Sequence, residues 1–427
     1  MRWPQPPGST RSTEAMPFAH LPGVVGHVRP LAERFDAAGH SLYLVGGIVR
    51  DLWLDRDPGV DVDLDLTTDA LPDAIKAIVA PAADALWLQG EKFGTVGARI
   101  GDHAYEITTH RAEIYRDDSR KPEVTFSTAI DEDLSRRDFT VNAMAVEILE
   151  AALVDPFGGA DDLAAKRLRT PLDVDVSFTD DPLRMLRAAR FAAGYGLTPD
   201  PAVVEAMGRL RERLDIVSAE RIRDELDKLL GLPTPSIGLT LLADTELLPR
   251  FAPELDDRTR FGAVDDLARD PDLRLAGLFH GHGADASRAR LGALRYSNDR
   301  RREIGAVVTA AEALVAGSVV DAPSSRRWVA ASGAARVDAR AVVRAVAPDH
   351  AAAVDRSLAL EADLADELDD LGPGLDGQTV MAMLGISGGP DVGEALAHLQ
   401  ELRFDLGPLD DERAEAELRA WWARRTG

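Results

Sequence analysis

The chain of 427 residues contains no cysteine. Disulfides, thiolate zinc sites and cysteine nucleophiles are therefore excluded. No apolar run approaches the roughly 20 residues that a membrane-spanning helix needs, and residues 1–20 lack the apolar stretch of a secretory signal. We therefore expect a cytoplasmic protein with no membrane partner, in which residues 1–24 form a disordered extension.

Basic residues are fewer than acidic residues in this chain. Lys and Arg total 49 against 73 Asp and Glu, which gives a formal net charge of −24. This balance argues against a nucleic-acid partner, because phosphate backbones are bound by concentrated Lys and Arg. Binding depends on where charges lie, however, and grouped basic residues can hold a polyanion with modest, salt-sensitive affinity. The groups are Arg136–Arg137, Lys166–Arg167–Arg169, and Arg184, Arg187 and Arg190.

The periodicity changes along the chain. With 45% hydrophobic and 29% charged residues, the composition is typical of a soluble globular protein, and the length allows about two to four domains. Beyond about residue 180 the pattern is almost wholly helical, with proline and glycine breaks. Before that, helical and β-type runs alternate, which indicates an α/β arrangement around a small mixed sheet. The predicted helices are 27–38 and 70–79, the latter with Thr67, Thr68 and Asp69 as its N-cap region, and the predicted strands are 41–45, 61–66, 85–89, 95–100 and 104–109.

A glycine pair and two alternating aspartates carry the first chemical signal. Gly46 and Gly47 follow the first predicted strand, where glycine lets backbone N–H groups approach a phosphate. Asp63 and Asp65 lie two apart in the next strand, so both carboxylates point to one face. Convergent carboxylates suit Mg²⁺. The pattern predicts metal-assisted phosphoryl or nucleotidyl transfer, although Asp61 lies on the same face and leaves the register open.

Two further segments fit the same chemistry. Glu106, in predicted strand 104–109, can join the aspartates, and three carboxylates from neighbouring strands can hold two metal ions. Arg136, Arg137 and Asp138 place two guanidinium groups beside a carboxylate. A guanidinium fork suits triphosphate binding, although a charge-rich helix start has the same pattern.

Motifs in a fixed order resemble those of the class II tRNA nucleotidyltransferases, the family of the CCA-adding enzymes and the bacterial poly(A) polymerases. The motifs span roughly residues 40–230. They are GGIVRD at 46–51, DLDLTTDA at 63–70, FGTV at 93–96, YEITTHRAEIYRDDSRKPEVTF at 105–126, RRDFTVNAMA at 136–145, VDPFGGADDL at 154–163, DDPLRMLRAARFAAGYGL at 180–197 and SAERIRDEL at 218–226.

The resemblance assigns expected roles. It implies that Asp63 and Asp65 are the metal ligands, with Glu106 as an additional catalytic carboxylate, and that Asp61 is a neighbour. It implies Mg²⁺ as the cofactor, and tRNA, CTP and ATP as partners, with no DNA expected. Arg137 and Asp138 fall in the motif that the family uses for the ribose. The expected nucleotide-binding residues are Gly46, Gly47, Arg50, Arg137, Asp138, Asp181, Arg184, Arg187 and Arg190.

The segment from Asp180 to Arg184 is similar to the family's Glu-Asp-x-x-Arg motif, with Asp180 in place of Glu. We expect Asp181 and Arg184, three residues apart, on one helix face. An ionised Asp only accepts hydrogen bonds and Arg only donates them. Cytosine and adenine offer an amino donor beside a ring-nitrogen acceptor, whereas guanine and uracil offer the reverse. The pair therefore favours CTP and ATP, and the alternative interpretation is an i,i+3 salt bridge.

Two later segments refine the expectation. Segment 111–123 is expected as a polar loop. It has the full length seen in CCA-adding members of the family, which by the resemblance favours complete CCA addition. Segment 270–300 resembles the metal-binding HD domain of some members, but Phe279-His280-Gly281-His282 lacks the required Asp. We interpret it as a degenerate domain kept for packing or tRNA contact.

The predicted fold is α+β, a small mixed-sheet nucleotidyltransferase head followed by all-helical neck, body and tail domains. The predicted function is CCA addition to tRNA. The alternatives are a poly(A) polymerase, which would not incorporate CTP, and an RNA-binding protein whose catalytic site has decayed. The predicted boundaries are 1–24 for the extension, 25–165 for the head, 166–232 for the neck, 233–370 for the body and 371–427 for the tail.

Overall fold

A computed structural model describes residues 18–57, 64–88, 90–114, 123–368 and 370–426. They divide into two units, the first ending at Ile216 and the second beginning at Val217. All strands of the described residues lie in the first unit, and the second is helical. The predicted mixed-sheet head with a helical remainder is therefore confirmed. The finer division into head, neck, body and tail stays a prediction.

The sheet of the first unit has one parallel strand pair at its centre. Its strands are β1 (Leu42–Val45), β2 (Leu64–Thr68), β3 (Ala85–Trp87), β4 (Thr95–Ile100), β5 (His103–Thr109), β8 (Ala145–Glu147) and β9 (Ala152–Val154). Two further strand pairs lie outside this sheet: β6 (Arg111–Ile114) with β7 (Glu123–Phe126), and β10 (Arg167–Leu168) with β11 (Thr198–Pro199). The sheet order is β3-β4-β5-β2-β1-β8-β9. Among the described residues, β2 and β5 are the only parallel neighbours in this sheet.

Eight helices accompany these strands in the described part of the first unit. They are α1 (Leu21–Ala37), α2 (Gly47–Trp53), α3 (Pro72–Val79), α4 (Ile130–Ser135), α5 (Gly159–Ala164), α6 (Val174–Asp180), α7 (Leu183–Tyr195) and α8 (Pro201–Arg209). Helices α1 and α3 pack on one sheet face. Leu44, Leu66 and Ile107 are fully buried there, because alternate residues of a strand share a face.

The opposite sheet face is only partly covered. Val45 and Ala145 form a small core with Leu134 of α4 on this side. Asp65 and Glu106, which alternate with the buried apolar residues of β2 and β5, are exposed. The sheet therefore has one face that builds the core and one that presents polar groups.

Several local predictions differ from the structure. Helix α1 begins at Leu21, inside the predicted extension 1–24, because Leu21 and Val24 are buried on its apolar face. The predicted N-cap region of α3 is wrong: Thr67 and Thr68 end β2, and the N-cap residue is Leu71. Segment 111–123, expected as a loop, begins and ends in strands β6 and β7. Residues 115–122 between them lie outside the described residues.

The second unit consists of helices. They are α9 (Ala219–Leu230), α10 (Pro235–Asp244), α11 (Leu248–Phe251), α12 (Pro271–Phe279), α13 (Ala284–Ala293), α14 (Asn298–Val315), α15 (Ala322–Ser332), α16 (Ala335–Val346), α17 (Ala351–Asp363), α18 (Ala365–Leu368), α19 (Gly377–Leu384), α20 (Pro390–Leu406) and α21 (Asp411–Thr426). Helices α19 to α21 share a core of Val380, Ala395, Leu399 and Leu418. None of the helices in the described ranges is both long and apolar enough to span a bilayer.

The segment that resembles an HD domain, 270–300, contains α12 and α13, with a turn at 280–283 between them. The carboxylate of Glu312 accepts hydrogen bonds from the N–H groups of Gly281 (2.9 Å) and Gly283 (3.0 Å). The Arg260 guanidinium donates to the carbonyl of His280. These contacts fix the backbone of the turn, and the role of segment 270–300 in packing or tRNA contact stays a prediction.

Candidate active site

The exposed sheet face carries a row of side chains that crosses four strands. Asp65 on β2 lies opposite Glu106 on β5 in parallel register. Glu106 lies opposite Gly97 on β4, and Gly97 lies opposite Trp87 on β3. We call these four residues the carboxylate row. Since paired residues on neighbouring strands point to the same face, the two carboxylates lie side by side, with their strands about 4.8 Å apart.

The donor set of this row suits a hard cation. Asp65 and Glu106 are both exposed and offer only carboxylate oxygens, the ligands that Mg²⁺ prefers. Asp63, the other predicted ligand, lies outside the described residues. Within those residues no three His, Asp or Glu side chains form a complete metal site. The residues present fit Mg²⁺, and the ligand assignment stays a prediction.

The glycine turn lies next to this row. Continuing the β1–β2 register by one residue places Val45 beside Asp65, with Gly46 following it. Gly46 has φ +78° and ψ −137° and precedes the first turn of α2. A Cβ added there would approach the Arg137 Nη1 atom to 2.9 Å. Gly46 therefore allows both the backbone turn and the close approach of a guanidinium group.

A buried aspartate, which the sequence analysis missed, holds the two arginines of this region. Asp133 on α4 is fully buried and accepts from Arg136 Nη2 (2.7 Å) and Arg137 Nη2 (3.2 Å). Burial by itself would raise the pKa of Asp133, but the two guanidinium groups outweigh it and lower the pKa to about 2. The signal was the i,i+3 and i,i+4 spacing of an acid before two bases on one helix.

Asp138, expected at the ribose, is buried in a second network. Its Oδ2 accepts from Arg187 Nε (2.8 Å) and Nη2 (2.6 Å), and its Oδ1 accepts from the Asn142 amide and the Phe139 N–H, both at 2.8 Å. Burial would raise the pKa of Asp138, but Arg187 and the hydrogen bonds from Asn142 and Phe139 hold it below its ordinary value. In the structure Asp138 orients Arg187, and its contact with a ribose stays a prediction.

Arg50, expected at the nucleotide, continues this network into α2. It is buried, donates to Asn142 Oδ1 (2.6 Å) and Asp51 Oδ2 (2.8 Å), and lies 4.1 Å from the Tyr195 ring centroid. Such a stacked, paired guanidinium stabilises the local structure. Arg190 lies 4.9 Å from the Phe191 ring on α7. Helices α2 and α7 are thus joined through Arg50.

The expected base-selecting residues do not share a helix face. Asp181 lies in extended conformation between α6 and α7, so the prediction of one helix face is wrong. The cause is Pro182, because the residue before a proline is driven out of the helical region. Arg184 lies in the first turn of α7, where its guanidinium donates to Ser177 Oγ (2.8 Å) and to the Arg136 carbonyl (2.5 Å). Those acceptors replace the i,i+3 salt bridge that was the alternative interpretation.

Members of all three basic groups suggested for polyanion docking pair with buried aspartates. Arg167 and Arg169 both bind the buried carboxylate of Asp162, each with one N–O distance of 2.6 Å. Arg136 and Arg137 bind Asp133, and Arg187 binds Asp138 in the same way. The charge that these groups present to a polyanion is therefore partly neutralised by buried aspartates.

Two family models match the chain. The poly A polymerase head domain matches residues 42–169, and the probable RNA and SrmB-binding site of polymerase A matches residues 196–258. The chain is 35% identical over 318 residues to a CCA-adding enzyme of Geobacillus stearothermophilus, covering 73% of each chain. It is 33% identical over 426 residues to a CCA-adding enzyme of Geobacillus thermodenitrificans, covering 96% of this chain and 98% of that one.

Solved structures give the same result. The Bacillus stearothermophilus CCA-adding enzyme in complex with CTP superimposes with a TM-score of 0.74 and 28% identity, covering 95% of this chain and 98% of that chain. The Thermotoga maritima CCA-adding enzyme complexed with tRNA has the same fold. It superimposes with a TM-score of 0.65 at 21% identity, over 94% of this chain and 96% of that chain.

Gly46→Ala should lower the free energy of unfolding by about 1–3 kcal/mol, because its backbone region is close to glycine-only and the new Cβ meets Arg137. Gly47→Ala is the matched control, since Gly47 lies in α2 without a positive φ and alanine favours helix. Urea unfolding of both variants measures the difference. Equal stability of the two variants would contradict this account of the turn.

Asp133 should contribute to the acid sensitivity of the protein. Its pKa is lower in the folded state than the ordinary value of 3.8, so its stabilisation is complete above about pH 4 and disappears as the pH falls towards 2. Between pH 4 and 2 the wild type should lose roughly 2 kcal/mol more stability than Asp133→Asn. Asp131→Asn, an exposed change on the same helix, should follow the wild type. Parallel curves for wild type and Asp133→Asn would refute this.

Proposed function

Because the chain belongs to the family of CCA-adding enzymes, which are tRNA nucleotidyltransferases, we propose that it adds C, C and A to the 3′ ends of tRNA. CTP and ATP are the proposed donors and pyrophosphate the leaving group. The observation that carries the proposal is the side-by-side placement of Asp65 and Glu106 next to the Gly46 turn and Arg137. A cytoplasmic location goes with this proposal.

The terminal ribose hydroxyl of the tRNA attacks the α-phosphate of the nucleotide in line. Asp65 and Glu106, with Asp63 by resemblance, would hold Mg²⁺. When bound, Mg²⁺ would activate the hydroxyl and neutralise charge that develops on the phosphate oxygens. Arg137 binds the triphosphate, since Asp133 holds its guanidinium beside Gly46 and a guanidinium fork matches phosphate oxygens. Orientation by a buried acid limits the rotamer freedom that Arg137 must lose on binding.

Asp181 and Arg184 select the base from two separate elements. The Asp181 carboxylate accepts from the exocyclic amino group of cytosine or adenine, and Arg184 donates to the adjacent ring nitrogen. The Arg184 guanidinium donates a hydrogen bond to the Arg136 carbonyl. The group that recognises the base is therefore connected to the segment that carries Arg137. Guanine or uracil would place its carbonyl acceptor against the Asp181 carboxylate and its N–H donor against Arg184, and such mismatches are strongly penalised.

The first experiment supplies a tRNA lacking its 3′ end with Mg²⁺ and with CTP, ATP, GTP and UTP, singly and in pairs. Addition that stops after C, C and A, without incorporation of GTP or UTP, is the expected result at one-nucleotide resolution. Long A tails without C would identify a poly(A) polymerase instead. Absence of product would leave an RNA-binding protein.

Asp65→Asn and Glu106→Gln should each lower kcat on the order of 100-fold, because they remove charge where a cation must bind. Asp102→Asn changes an exposed carboxylate at the turn between β4 and β5 and should leave kcat unchanged. Single-turnover CTP addition measures the three rates, with filter binding as a check on RNA affinity. Wild-type kcat in either Asp65→Asn or Glu106→Gln would exclude that residue from the metal site.

Asp181→Asn should reduce kcat/KM for CTP roughly 10- to 100-fold, the cost of losing one charged hydrogen bond. The ratio of kcat/KM for CTP to kcat/KM for UTP should fall as well. An amide both accepts and donates, so it tolerates the reversed edge of uracil. Asp175→Asn on α6, where Asp175 pairs with Arg209, is the control and should keep the wild-type ratio. An unchanged CTP to UTP ratio in Asp181→Asn would remove this residue from base selection.

A further inference from the structure

The carboxylate row ends in an aromatic side chain that the proposed chemistry does not use. Trp87 lies on β3, an edge strand of the sheet, and the residue remains 38% exposed. It occupies the same row and the same face as Glu106 and Asp65. Tryptophan is enriched at binding interfaces, because its ring offers a large apolar surface together with an N–H donor.

Gly97 brings the indole towards the carboxylates. A Cβ at Gly97 would overlap the Trp87 ring, with Nε1, Cδ1 and Cε2 as the nearest atoms. The ring therefore covers the backbone of β4, and Gly97 is buried beneath it. Since Gly97 is the cross-strand neighbour of Glu106, the indole lies about one strand spacing, roughly 5 Å, from the backbone of the strand that carries Glu106.

A cationic side chain accompanies the ring on this face. Arg99 follows Gly97 by two residues on β4, so it points to the same side of the sheet. Arg99 is exposed and lies between Ala85 and Ala104 on the neighbouring strands, both of which are small. An aromatic platform beside a basic side chain is the combination by which proteins bind single-stranded nucleic acid.

We propose that the Trp87 indole, seated over Gly97, is the platform on which the 3′-terminal base of the acceptor RNA stacks during nucleotide addition. This inference rests on the proposed function, because it needs an RNA end at the carboxylate row. Stacking on Trp87 brings the terminal ribose towards Glu106 and Asp65, and Arg99 is available to a phosphate upstream. Trp87 is thus a positioning residue for the acceptor.

The chemistry of the ring favours the acceptor over the incoming nucleotide. The incoming base must be recognised by its edge, which requires fixed donors and acceptors. The acceptor ends in the tRNA's own last base before the first addition and in C before the next two, so its site must accept more than one base. Stacking on an indole meets this requirement, since every base has a π face. The net charge of −24 adds to the need for a contact that does not depend on charge.

The test separates acceptor from nucleotide. Trp87→Ala should raise the KM and the Kd for a tRNA lacking its 3′ end roughly 5- to 100-fold, the range for one stacked base. The KM for CTP should stay within twofold of the wild type. Trp87→Phe keeps an aromatic face and should recover most of the affinity. Leu88→Ala, the neighbouring exposed apolar residue, is the control and should leave both constants unchanged.

Gly97→Ala gives an independent test with the indole present. It displaces the ring without touching a carboxylate, so it should weaken acceptor binding as Trp87→Ala does, and the double variant should be no weaker than Trp87→Ala. An unchanged acceptor Kd in Trp87→Ala, or a rise in KM for CTP alone, would overturn the proposal. A wild type that binds RNA but adds no nucleotide would instead refute the proposed function, and the Kd values would still decide whether Trp87 contacts the RNA end.

Discussion

The first unit depends on aspartates that lie away from water and hold arginines in place. Asp133, Asp138 and Asp162 are all buried, and each accepts from one or two guanidinium groups. Burying a carboxylate is costly unless it is paired, so each of these acids is stable in the folded protein only together with its arginine partners. In a chain with a large acidic excess, these aspartates fix the orientation of the arginines that they bind. Arg137 is directed to Gly46 because Asp133 holds it, and Arg187 is fixed on Asp138.

Much of the architecture followed from local patterns. Strand periodicity predicted β1, β4 and β5 to within two residues at each end, because alternating burial on a sheet leaves a strong signal. The alternation also placed the predicted carboxylates on one face, and the family motifs supplied their order along the chain. The sequence pattern did not establish that Asp65 and Glu106 lie opposite each other. This placement depends on β2 and β5 being parallel neighbours, and strand order is a non-local property.

Other features could not be predicted, for identifiable reasons. Spacing alone suggested a helix face for Asp181 and Arg184, but Pro182 separates the two helices. The hydrogen bond from Arg184 to the Arg136 carbonyl joins residues 48 positions apart, which no local pattern encodes. The contact between Trp87 and Gly97 depends on the β3–β4 register. Asp133 had a readable helical spacing, but nothing in the sequence indicated that its carboxylate would be buried.

The anchoring of Arg184 has a thermodynamic consequence. Its guanidinium donates to Ser177 and to the Arg136 carbonyl, and a guanidinium carries five N–H groups, so donors remain for a base. In the proposed mechanism these two bonds stay in place when a nucleotide binds. A side chain held in this way cannot turn aside from a mismatched base, whose own N–H donor then faces fixed donors. Strict discrimination by Arg184 would therefore come from its rigidity as well as from its charge.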